Sequence, residues 1–163
     1  MTRESLDHPF SAFWRPDSRI LILGSFPSPG SRKNGFYYGH PGNRFWRVLA
    51  YVFHEPVPET LQEKQTLLLS HRLALWDTAG HVSIEGASDA SARDIVPNDL
   101  YFLLEGAQIH SILLNGRLAG QIFERHMVRS GIPEHVILPS TSAANASWSL
   151  ERLIQAWQPY LLD

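Results

Sequence analysis

Four short apolar runs, each giving way to small or polar residues, constrain this chain more than any other feature. They are Arg19 to Leu23, Leu73 to Asp77, Ser111 to Asn115 and His135 to Leu138, and they break off at Gly24-Ser25, Asp77-Thr78, Asn115-Gly116 and Ser140-Thr141. Segments with helical periodicity lie between and after them: Asn43 to Phe53, Thr60 to Ser70, Asn98 to Leu104, Arg117 to Val128 and Ser147 to Trp157. Near-continuous apolar strands alternating with helices predict an α/β protein whose parallel sheet is covered on both faces. In such a sheet every strand ends on one edge, so the polar residues that follow the strands converge there. The stretch Gly80 to Pro97, rich in Ser, Ala and Asp, reads as the longest loop, and no internal repeat or low-complexity linker interrupts the pattern.

The length of 163 residues is that of one domain, 1–163, and an apolar content of 44% supplies a full core. No apolar stretch reaches the 18 or more residues of a membrane span. The segment Met1 to Pro9 carries Arg3, Glu4, Asp7 and His8 and lacks the apolar centre of a signal peptide. Cysteine is absent, which removes disulfides, thiolate zinc sites and cysteine-held iron–sulfur clusters. A cytoplasmic monomer without metal or other cofactor is the expectation. The net charge of −2 argues against coating nucleic acid by bulk electrostatics, though not against meeting DNA through one small face.

The densest chemistry follows the first strand. Gly24-Ser25-Phe26-Pro27-Ser28 and then Gly35-Phe36-Tyr37-Tyr38-Gly39-His40-Pro41-Gly42-Asn43-Arg44-Phe45-Trp46 lead from strand to helix. Small residues permit close backbone approach, aromatic rings offer stacking surfaces, and an uncharged amide can orient a water. These are the parts needed to grip a planar ring beside a phosphate backbone. The chain has no Gly-x-Gly-x-x-Gly dinucleotide loop, Walker loop or Gly-x-Ser-x-Gly elbow. Its eight histidines form no His-Glu-x-x-His or other dense ligand set. A Schiff-base lyase needs a poised lysine; only Lys33 and Lys64 exist, and Lys33 sits between Arg32 and Asn34 as a solvated loop residue.

Those two segments, with Leu138-Pro139-Ser140-Thr141-Ser142-Ala143-Ala144-Asn145 after the last strand, resemble the uracil-DNA glycosylase superfamily, most nearly its hypoxanthine (deoxyinosine) DNA glycosylase branch. The resemblance implies a three-layer α/β/α fold with a four-stranded parallel sheet and a cleft for an extruded nucleotide. Many members carry Asp or Asn two residues after the glycine of the first motif, where it orients the attacking water. Phe26 stands there in this chain, and a phenyl ring has no lone pair to offer. The hypoxanthine branch resembles this chain in placing an asparagine before Arg-Phe-Trp, here Asn43, as the catalytic residue.

Base release needs a water held near the anomeric carbon and donors facing the electron-rich leaving base. The Asn43 carbonyl would hold that water; the alternative makes Asn43 the cap of the helix that follows. Gly24, Ser25, Phe26, Pro27, Ser28, Tyr37, Tyr38 and Asp77 are the expected substrate-binding residues. Of Phe26, Phe36, Tyr37 and Tyr38, four rings in one Gly- and Ser-rich loop, at least one should face the ligand, whereas Trp46 belongs to the core. Asp77 would accept the N1 proton of hypoxanthine, or else serve as a turn or cap residue beside Thr78. Ser88, Asp89 and Ser91 either shape the cleft or supply loop polarity.

Ser140, Thr141, Ser142, Ala144 and Asn145 are the expected DNA contacts, in a loop resembling the one that enters the duplex when a nucleotide leaves the stack. The same residues read as an ST-turn ahead of a helix capped by Ser147. The sequence thus points to a monofunctional glycosylase acting on damaged DNA, first on deoxyinosine. Uracil opposite guanine is the second reading, and a DNA- or nucleobase-binding module without catalysis the third.

Overall fold

A computed structural model describes residues 4–7, 12–26, 36–84, 93–128 and 131–162, with backbone alone considered at 4–7, 81–84 and 93–95. Pro27, Ser28, Lys33, Ser88, Asp89 and Ser91 lie outside the described residues.

The strands are β1 (Glu4–Asp7), β2 (Ile20–Gly24), β3 (Leu73–Asp77), β4 (Ala79–Ile84), β5 (Arg93–Pro97), β6 (Ser111–Asn115) and β7 (Glu134–Leu138). Four of them, in the order β3-β2-β6-β7, form the expected parallel sheet. Every residue of β2 and β3 is buried. Successive side chains of a strand point to opposite faces, so both faces of the sheet centre are covered. The fold is α/β, a four-stranded parallel sheet with flanking helices.

The helices are α1 (Phe45–Val52), α2 (Leu61–Ser70), α3 (Tyr101–Gly106), α4 (Arg117–His126) and α5 (Leu150–Leu161). In α1 the buried Phe45, Trp46, Val48, Leu49, Ala50 and Val52 leave little of the helix to solvent. It packs against α5, with Phe45 edge-on to Trp157 at 6.2 Å. Thr60 starts α2 with a capping box: its hydroxyl accepts from the Glu63 N–H at 3.1 Å, and the Glu63 carboxylate accepts from the Thr60 N–H at 3.0 Å.

The expected loop from Gly80 to Pro97 is a correction. Its two ends are β4 and β5, which pair antiparallel and join β1 in a separate three-stranded sheet. The strands are short, their pairing is irregular between Ala79 and Ser83, and a sequence rich in polar residues reads as loop. The last helix also starts later than expected. Its N-cap is Ser149, not Ser147, and the Ser149 hydroxyl accepts from the Arg152 N–H at 3.2 Å.

Topology fixes where the polar strand ends meet. The chain leaves β2, pairs β3 on one side, and later returns to place β6 on the other. The carboxyl ends of β2 and β6 therefore flank the point where strand order reverses, which is the usual ligand position in open α/β sheets.

Candidate active site

A cleft of about 640 Å³ opens at that reversal, lined among others by Ser25, Asn115, Gly116, Arg117, Ser140 and Ser142. The ends of β2 and β3, outside the residues that line this cleft, carry the expected base-binding groups. Gly24 and Asp77 are opposite each other in the β2–β3 register. A Cβ at position 24 would overlap Asp77 Oδ1 and lie 3.2 Å from Tyr38 Oη, so glycine is what lets a carboxylate and a phenol gather over this strand end. The backbone beyond is tied down: the Thr78 N–H donates to the Gly24 carbonyl at 2.7 Å, and the Ala79 N–H to the Ser25 carbonyl at 2.9 Å. Asn98, absent from the expected site, donates from Nδ2 to the Asp77 carbonyl at 2.8 Å and holds the turn from behind.

Asp77 is only 3% exposed. Burial first, and then its negative charge, push the Tyr37 and Tyr38 hydroxyls well above the usual tyrosine range. Both phenols consequently stay protonated and keep an O–H to donate. The Tyr38 Oη is buried and has no hydrogen-bond partner among the described residues, although the Asn115 side chain approaches it. Tyr38 adopts a left-handed backbone (φ 55°), and its ring stacks on Phe45 at 4.0 Å.

Of the four rings, at least one of which was expected to face the ligand, three are buried. Tyr37 is 2% exposed, and Phe26 and Phe36 are each 9% exposed; only Tyr38 is half-buried. Phe36 stacks on Trp46 at 6.2 Å and meets Phe13 edge-on at 5.8 Å, so neighbouring rings absorb what glycine and serine could not. Trp46 lies in the core as expected, its Nε1–H donating to the Tyr37 carbonyl at 3.2 Å.

Asn43 ends the aromatic loop, and its side chain is half committed. The Asn43 Oδ1 accepts from the Phe45 N–H at 3.0 Å and from the Thr141 hydroxyl at 2.8 Å. The carbonyl expected to hold the water thus has both of its lone pairs in use, because it closes an Asx turn into α1 and receives the last loop. The Nδ2 end donates to no described residue. The N-cap position itself is Arg44, without a side-chain cap bond.

Thr141, expected to touch DNA, is fully buried. Its hydroxyl accepts from Asn115 Nδ2 at 3.0 Å as well as donating to Asn43, and its N–H donates to Asn115 Oδ1 at 3.0 Å. Its contacts are therefore inside the site. Ser140, Ser142 and Asn145 are half-buried, and Ala144 is exposed. Ser140 Oγ accepts from the Ser142 N–H and Ser142 Oγ from the Ala144 N–H, each at 3.1 Å, while Asn145 Nδ2 donates to the Ser140 carbonyl at 3.0 Å. These are the bonds of the expected ST-turn, and they leave Ala144 at the tip.

Arg44 was hidden inside the motif. Its guanidinium donates to the Trp148, Ser142 and Asn145 carbonyls, the latter two at 2.9 and 3.1 Å, and its backbone N–H donates to the Thr141 carbonyl at 3.0 Å. No carboxylate among the described residues pairs with it, so the cation is spent on fixing the curve of the last loop. A basic residue before two aromatics carries no sequence signal for this. Asn115 was visible only as one of several polar strand ends.

The family model of the uracil DNA glycosylase superfamily matches residues 12–160. A Methanosarcina acetivorans protein named hypoxanthine DNA glycosylase is 37% identical over 145 residues, covering 88% of this chain and 90% of that one. A Methanosarcina barkeri protein of the same name is 32% identical over 133 residues, covering 80% and 84%. A Methanosarcina acetivorans structure solved by solution NMR, assigned provisionally as a uracil DNA glycosylase, superposes with a TM-score of 0.80 at 33% identity, over 96% of this chain and 99% of that one. With a family match across nearly all its length and relatives at this identity, the chain belongs to the uracil-DNA glycosylase superfamily.

Proposed function

We propose that the protein is a monofunctional DNA glycosylase that hydrolyses the N-glycosidic bond of deoxyinosine, releasing hypoxanthine and leaving an abasic site. The observation that carries the reading is the buried Asp77 carboxylate at the end of β3, which gathers over Gly24 with the protonated Tyr38 hydroxyl. Hypoxanthine presents an N1–H donor beside an O6 acceptor, and a carboxylate with a nearby O–H donor complements that edge. The names of relatives at 37% and 32% identity support the same substrate.

In the reaction, water oxygen bonds to C1′ as the C1′–N9 pair leaves with the base, and the water proton passes to solvent or to the departing purine. The sugar carries oxocarbenium-like charge on the way. Asn43 positions the water, Asp77 and Tyr38 hold the base edge, and Gly24, Ser25 and Phe26 border the ring. Tyr37 backs that border from the core. Ser140, Ser142, Ala144 and Asn145 meet the DNA backbone and the gap in the stack, while Thr141 sets the loop from beneath. The enzyme works as a cytoplasmic monomer.

A second substrate is favoured by the same carboxylate: uracil presents its N3–H between carbonyls and satisfies Asp77 equally. Labelled duplexes containing inosine, uracil or xanthine decide the matter. The proposal expects inosine strands to break only after alkali, with no borohydride-trapped adduct. Excision of uracil alone selects the second substrate, and no excision of any base leaves a binding module.

A further inference from the structure

The direction of every hydrogen bond between Asn115, Thr141 and Asn43 is forced. The Thr141 N–H is a donor only, so the Asn115 atom that meets it at 3.0 Å is the carbonyl oxygen. Asn115 Nδ2 then faces Thr141 Oγ1 at 3.0 Å and donates to it. That leaves the hydroxyl proton to go onward, to Asn43 at 2.8 Å. The atom receiving it also receives the Phe45 N–H at 3.0 Å, a second obligatory donor, so it is the Asn43 oxygen. Two backbone N–H groups, one at each end, thus fix both amides and the hydroxyl between them.

We propose that Thr141, backed by Asn115, is a positioning residue that locks the Asn43 amide with its oxygen inward, so that Asn43 meets the reacting groups through Nδ2–H. The inference rests on the catalytic reading of Asn43 above. A water held by Nδ2–H keeps a lone pair for C1′, and an oxocarbenium-like centre asks for placement of the water more than for its deprotonation. Without the Thr141 proton, the amide keeps only the Phe45 bond and gains freedom to turn. The last loop, which carries Thr141 and is clamped by Arg44, therefore sets the catalytic amide from its buried side.

Thr141→Val removes the hydroxyl at nearly constant shape, and Thr141→Ser restores it. On inosine duplex, Thr141→Val should lower kcat by about tenfold or more with KM little changed, as expected for lost positioning and not lost binding. Thr141→Ser should recover most of the rate. In the absence of DNA, the Asn43 side-chain amide signals in a nitrogen–proton NMR spectrum, assigned by their loss in Asn43→Asp, should shift or broaden in Thr141→Val and not in Thr141→Ser. If the valine variant does not fold, Asn115→Asp draws the Thr141 proton the other way and is read by the same criteria. A folded Thr141→Val with native kcat and unmoved Asn43 signals overturns the proposal. Should the wild type excise no base at all, the glycosylase reading fails instead, and the NMR comparison alone decides the lock.

Discussion

The segments that follow β2 and β7 meet over the same sheet edge, yet different forces hold them. From Phe36 to Trp46 the chain is fixed by rings: Phe36 on Trp46, Tyr38 on Phe45, and Tyr37 almost wholly buried. From Ser140 to Trp148 it is fixed by directional polar bonds, from Arg44 to three carbonyls and from Thr141 to two amides. Ring packing is strong but tolerant of small rotations, whereas a hydrogen-bond chain specifies which atom of an amide faces which way. The aromatic segment supplies rigidity, and the polar segment supplies orientation. Asn43 stands where the two meet, its oxygen shared between the Phe45 N–H and the Thr141 hydroxyl.

If that division is right, damage to the aromatic segment should appear as global stability. Phe36→Ala deletes a ring packed among Phe13, Tyr37 and Trp46 and should cost about 3–5 kcal/mol in denaturant unfolding. A loss confined to activity, with unfolding unchanged, would break the comparison. Damage to the polar segment should be smaller and local. Arg44→Met strands three carbonyls and should cost about 1–3 kcal/mol, with faster proteolysis between Ser142 and Trp148 than elsewhere. Uniform proteolysis along the chain would deny Arg44 its role as a loop clamp.

The smallest effect lies away from the site and calibrates the other two. The N–H groups of Glu59 and Thr60 hold the Glu63 carboxyl below the usual carboxylate range. A folded pKa below the unfolded one gives stability that is present above the unfolded value and lost as pH falls through the folded value. Wild type should therefore melt above Glu63→Gln at neutral pH, and the gap should close in that acidic window. A gap that persists unchanged below it would mean that the carboxylate's charge is not what caps α2.

Much of this was legible in the chain. Leu73–Asp77 and Ser111–Asn115 read as strands with their observed bounds, because parallel strands buried on both faces are near-continuous in apolar residues. The β4–β5 hairpin did not read at all, since short strands rich in polar residues look like loop. At the candidate site, residue types singled out Asn43 and Asp77, but not which end of the Asn43 amide is free. That depends on Thr141, 98 positions away and paired only in three dimensions. Arg44 was obscured for the same reason, because its partners are carbonyls, which every residue possesses.

The central claim is that Asn43 serves catalysis and not only the turn into α1. Single-turnover excision of hypoxanthine by Asn43→Ser, with its melting curve, tests it most directly. Serine closes the same kind of side-chain turn, its hydroxyl able to accept from the Phe45 N–H, so the turn and the fold should survive, yet it has no amide nitrogen to offer. The account predicts a stable protein whose excision falls by about 10²-fold or more. A stable Asn43→Ser protein that excises hypoxanthine at nearly the native rate would contradict it and leave Asn43 as a structural residue.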